Sequence, residues 1–125
     1  MFLRNTFELL IKYFDAKKNY YDEPVLRQEL EIQYKEQYDG MIAAVSKASK
    51  EEREDAIEYL DGVIKDCHEK EQTFLNSIDD YREREDLRML FEKQVLEIRL
   101  KISEIEGYKR VINEYNDKKE GEKRV

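Results

Sequence analysis

Apolar residues recur every three or four positions along most of the chain, and that spacing predicts four helices. Phe2, Leu3, Phe7, Leu10, Ile11 and Phe14 mark a first helix over 2–17. Leu26, Leu30, Tyr34, Tyr38, Met41, Val45 and Ala48 mark a second over 24–47. Ile57, Leu60, Ile64, Cys67, Glu71, Phe74 and Ile78 alternate steps of three and four, a heptad seam on a third helix over 51–76 that only Glu71 interrupts. Phe91, Val95, Ile98, Ile102, Ile105, Tyr108, Ile112 and Tyr115 form a further seam on a fourth helix over 80–117.

The punctuation between these stretches agrees with the periodicity. In YYDEPV (20–25), Asp22 is the expected N-cap, and Pro24 suits a first turn whose N–H groups have no partner in the helix. Ser49 with Glu52 three residues on has the spacing of a capping box. Asn76, Ser77 and Asp79 are the capping candidates for a turn that separates the third and fourth helices. The expected fold is all-α, an elongated hairpin or coiled-coil bundle of about four helices in one domain over 1–117. DKKEGEKRV, at 117–125, reads as a solvated end, and 118–125 is expected to be a disordered charged tail. The fourth helix outruns the others, so Ile105, Tyr108, Ile112 and Tyr115 need cover, and a homodimer is the expected source of it.

Composition sharpens this picture. Charged residues make up 42% of the 125 and apolar ones 40%, which suits long amphipathic helices better than a disordered acidic chain. One Pro and four Gly are too few turn formers for an all-β chain of this size. Asp-Gly precedes two apolar residues at both 39–42 and 61–64, and close approach of two helices at Gly40 and Gly62 is one explanation.

Charge is unevenly placed. Residues 1–50 hold eight acids and eight bases, residues 51–86 fourteen acids and five bases, and residues 87–125 eight acids and ten bases. The acidity therefore belongs to residues 51–86, whose excess of nine acids the last stretch offsets by two to give the net charge of −7. At about 100° per residue, Glu51, Glu54, Asp55, Glu58, Asp61, Asp66 and Glu69 fall opposite the seam. Favourable contact with a helix N-terminus accounts for Glu51 and Glu54 but not for Asp66 or Glu69. Tyr59 lies beside this stripe, and an aromatic ring beside charge is common at protein interfaces. These eight residues are the candidate partner-binding surface.

The remaining chemistry is sparse. One Cys and one His, adjacent as Cys67-His68, cannot supply a Cys/His zinc site, and Cys67 on the seam reads as a small buried apolar residue. A di-iron bundle site wants Glu three before His, where Lys65 stands. Glu71, alone on the seam, is expected either to pair with Lys or Arg across it and fix register, or to mark a seam end open to solvent. Neither a catalytic residue nor a cofactor or metal is expected.

The sequence thus predicts a non-enzymatic, cytoplasmic interaction protein, with no direct contact to nucleic acid or membrane. Its acidic face over 51–86 would meet a basic partner protein as an inhibitor or adaptor that mimics nucleic acid. A coiled-coil assembly or chaperone protein working through its apolar seams is the alternative. A third reading, an enzyme, has the least support. Residues 2–14 are expected to dock on the other helices rather than lie on a membrane surface.

Overall fold

The computed structural model describes residues 2–20 and 22–123; Met1, Tyr21 and residues 124–125 lie outside the described residues. Four α-helices follow one another, α1 (Phe2–Asn19), α2 (Pro24–Lys47), α3 (Lys50–Asp80) and α4 (Glu85–Lys123), and there is no strand among the described residues. At about 1.5 Å per residue, α4 with its 39 residues runs about 58 Å. The protein is all-α.

Three boundaries differ from the expected ones. Pro24 does open α2, but the N-cap residue is Glu23 rather than Asp22, and it makes no capping hydrogen bond through its side chain. At the other end of that helix, the Glu52 N–H donates to Ser49 Oγ at 3.1 Å, so the cap at the start of α3 forms as its spacing suggests. The break between α3 and α4 falls at 81–84, later than the proposed caps. Asn76 and Ser77 lie inside α3: Asn76 Oδ1 accepts from Gln72, and the Ser77 hydroxyl donates to the Thr73 carbonyl one turn back. Small polar side chains satisfied within a helix do not end it. Finally, α4 continues to Lys123, through the part of the charged segment expected to be disordered from 118.

The helices pack as two compact units, one of Met1–Tyr59 with Val111–Val125 and one of Leu60–Arg110. In the first unit α1 packs along α2. Leu3, Phe7, Leu10 and Ile11 are buried, as docking of this helix requires, together with Met41, Val45, Ala56 and Ile112. Phe14 and Tyr34 meet at 6.5 Å between centroids, and Lys17 Nζ lies 4.3 Å from the Tyr34 ring centre. The seam of α2 is buried at Met41 and Val45 and half-buried at Leu30, Tyr34, Tyr38 and Ala48, while Leu26 at its start is exposed.

In the second unit α3 and α4 run antiparallel. Contacts pair Asp61 with Lys109, Glu71 with Arg99 and Phe74 with Phe91, so position falls on one helix as it rises on the other. Leu60, Ile64, Cys67, Val95, Ile105 and Tyr108 are buried in this unit. Ile105, Tyr108 and Ile112, the residues thought to need a second copy, are 1%, 1% and 0% exposed within the single chain. Tyr115, the fourth of that set, is half-buried, so the need for cover that pointed to a homodimer is met within the chain at Ile105, Tyr108 and Ile112. Gly40 and Gly62 do not mark a close approach either, because an added Cβ meets nothing within 4 Å at either position.

Candidate functional site

The first turns of α3 carry the acidic residues in two settings. Glu51, Glu54 and Glu58 are exposed, at offsets of three and four, and so form one row along the helix. Among the described residues, none of the three makes an ion pair. Glu51 and Glu52 occupy the first turn, where the helix dipole favours them; because α3 starts at Lys50, Glu54 falls past that turn, contrary to the sequence expectation, and Glu58 lies further still. Like charges spaced by three or four cost a few tenths of a kcal/mol per pair.

Asp55 and Tyr59 face elsewhere. Tyr59 is half-buried, with the Arg4 guanidinium of α1 5.0 Å from its ring centre. Burial raises the phenol above its ordinary pKa, the negative charges of Glu8 and Asp15 raise it further, and Arg4 opposes them. Asp55, one turn earlier, is half-buried, and its Oδ2 is buried without a hydrogen-bond partner. Ala56 between them is fully covered. This side of α3 is therefore a packing face in the first unit, although the large-residue seam runs elsewhere. The signal available in the sequence was Ala56 three positions before Tyr59, a small residue that permits a neighbouring helix to approach.

In the second unit, Asp61 is bound: Lys109 Nζ lies 2.6 Å from its Oδ1. The Asp61 carboxylate holds the Lys109 ammonium above its ordinary pKa, mainly through that hydrogen bond, against the opposing effect of burial. Asp66 and Glu69 are exposed, and among the described residues neither makes an ion pair. Glu71 is the acid that crosses the seam. Arg99 Nε donates to its Oε2 at 2.8 Å, and His68 Nδ1 is 3.5 Å from Oε1. The Arg99 hydrogen bond comes first among the causes that hold the Glu71 carboxyl below the usual range. Of the two expectations for Glu71, the one seen is the pairing with a base across the seam.

Cys67 is buried and His68 exposed, so the adjacent pair does not converge on one point. Among the described residues no group of three or more His, Cys, Asp and Glu is placed to hold a metal ion, and no helix is long and apolar enough to cross a membrane. Of the eight candidate residues, then, Glu51, Glu54 and Glu58 form an open row. Asp55 and Tyr59 turn into packing, Asp61 is engaged by Lys109, and Asp66 and Glu69 are open in the second unit. Comparison of the chain with protein-family models, curated proteins and solved structures finds no match.

Proposed function

We propose that this chain is a non-enzymatic interaction module that docks a basic surface of a partner protein on the acidic row of Glu51, Glu54 and Glu58. The observation that carries this reading is that all three carboxylates are exposed and, among the described residues, unpaired. Carboxylates one helical turn apart are spaced about 5–6 Å, close enough to stand in for successive phosphates along a nucleic-acid backbone. A partner groove built for nucleic acid fits such a row, and the chain then acts as an inhibitor or adaptor. Affinity capture from the native cell identifies the partner, and a salt titration of the purified pair tests the mechanism. Charge-driven binding weakens steeply with ionic strength; affinity that is flat with salt rules the acidic row out.

A specific observation also favours a second reading, an assembly or chaperone protein. Met89, Leu90, Leu96 and Leu100 of α4 are 58%, 50%, 60% and 64% exposed. The α3 and α4 seams first suggested for that role are buried or half-buried within the chain, so on these two helices the apolar surface open to a partner is this different set. A complex formed there is insensitive to salt, which separates the two readings in the same titration.

A further inference from the structure

We infer that the first unit holds a phosphate-class oxyanion in a cavity between the start of α3 and the end of α4. The cavity, about 130 Å³, is lined by Lys50, Arg53, Asn116, Lys119 and Glu120. At roughly 30 Å³ per water it has room for about four waters, enough for a tetrahedral anion with its oxygens.

Of the cations around it, Arg53 is firmly placed, whereas Lys50 and Lys119 are exposed side chains. Arg53 Nε donates to Asn116 Oδ1 at 2.7 Å, and its Nη1 donates to the Ala48 carbonyl at 2.7 Å. Its guanidinium carbon lies 4.9 Å from the centre of the Tyr115 ring, and Tyr115 is itself anchored by its hydroxyl to the Ser46 carbonyl at 3.0 Å. Lys119 Nζ stands 5.9 Å from the centre of the same ring. A guanidinium has five N–H donors, and two of these are spent here on neutral acceptors. The plane is fixed while its charge is left unneutralised.

Among the described residues, Lys50, Arg53 and Lys119 form no ion pair. Glu120 is the single carboxylate in the lining, so three cations stand against one anion. Three positive groups around one small cavity repel one another, and they do so in a chain whose net charge is −7. A bound anion removes that repulsion. The three remaining N–H donors of a held guanidinium and the point charges of two lysines suit the oxygens of a tetrahedral oxyanion. The excess of two positive charges matches a phosphate dianion better than a single carboxylate. This site is independent of the acidic row, and neither reading needs the other.

The test is an NMR titration of the full chain with inorganic phosphate, at constant ionic strength held with chloride. Saturable shifts are expected at the backbone amides of 49–53 and 116–120. Lys50→Gln with Lys119→Gln weakens the affinity by about tenfold, the scale of one charge-assisted hydrogen bond, while the helical circular dichroism is retained. Glu120→Gln strengthens it by several-fold, a gain that a merely structural role for these residues does not produce. Lys93→Gln, in the second unit, leaves it unchanged. Glycerol phosphate as a second titrant distinguishes a free-ion site from a phosphomonoester site, and saturable binding of either supports the inference. Shifts that do not saturate, shifts that chloride reproduces, or affinity indifferent to Lys50, Lys119 and Glu120 overturn it.

Discussion

Two groups of acids on α3 meet different fates. In the first unit Glu51, Glu54 and Glu58 stand open to solvent, whereas in the second Asp61 and Glu71 are each taken by a base on α4, at 2.6 and 2.8 Å. The two groups share the carboxylate and the helix. What separates them is the facing segment. Residues 87–125 carry ten bases to eight acids, and antiparallel packing in the second unit brings Lys109 and Arg99 opposite Asp61 and Glu71. An acidic stripe is therefore not one thing. Part of it clamps two helices together, and part of it has no internal task.

The largest effect that can break this comparison is on binding. Glu51→Lys, Glu54→Lys and Glu58→Lys together should weaken the partner complex by at least about a hundredfold, near 2.7 kcal/mol, because each change removes an attraction and adds a repulsion. Folding should barely respond, within about 0.5 kcal/mol per exposed site. The matched control is Glu92→Lys, Glu97→Lys and Glu104→Lys on α4. If both triple variants bind like the parent, the open row serves only solubility, and the apolar face of α4 becomes the leading surface.

Asp55 belongs to neither group, and it supplies the next effect. A buried carboxylate oxygen without a partner costs about 1–3 kcal/mol when fully desolvated, and this half-buried side chain should lie at the low end. Asp55→Ala should therefore stabilise the fold. Asp66→Ala, an exposed Asp on the same helix, measures the gain in helix propensity alone. Denaturant unfolding should show Asp55→Ala exceeding Asp66→Ala by about 1 kcal/mol. Equal gains would mean that the Asp55 carboxylate is adequately solvated.

The next prediction probes the clamp. A double-mutant cycle on Glu71→Ala and Arg99→Ala should give a coupling of about 0.5–1 kcal/mol, kept modest because the Arg99 side chain is 57% exposed. The Glu71 carboxyl is depressed in the folded state, so its contribution is present above the ordinary Glu pKa of about 4.3. It fades as pH falls through the lower folded value. The advantage of the parent over Glu71→Gln should therefore close in acid. A gap that stays constant between about pH 6 and 2 refutes the ion pair as its cause.

How much of this was legible in the sequence follows from what each residue needs. Val95, Ile105, Tyr108 and Ile112 are large and apolar at helical spacing, and such residues are buried whatever covers them. What covers them is a tertiary fact, and the argument from cover to a homodimer loses Ile105, Tyr108 and Ile112 because the chain covers them itself. Asn76 and Ser77 looked like caps because small polar side chains favour helix ends, yet the same hydroxyl or amide can be satisfied inside a helix. Glu71 was the clearest success, since an acid on an apolar seam needs a base and Arg99 provides it. Tyr59 and Asp55 were read as outward-facing from the position of one seam. A helix packed on two sides, as α3 is beside Ala56, defeats that inference.

The smallest expected effect concerns Asp61 and Lys109, and it has the opposite pH sense to Glu71. Lys109 is raised above its ordinary pKa chiefly by its hydrogen bond to Asp61, with the Asp61 and Glu106 charges adding to it. A base raised on folding contributes stability that is fully present below its unfolded pKa, about 10.4, and is lost as pH climbs through the higher folded value. Asp61 is 54% exposed, so solvent screens the pair and its contribution should be a few tenths of a kcal/mol. Asp61→Asn should therefore cost that small amount at neutral pH. The cost should hold steady to about pH 9 and shrink beyond about pH 10.5. Partner binding should be unaffected throughout, because this carboxylate is already held within its own unit. If Asp61→Asn weakens the partner complex as much as reversal of Glu54 does, the division between clamping and open acids fails at this residue.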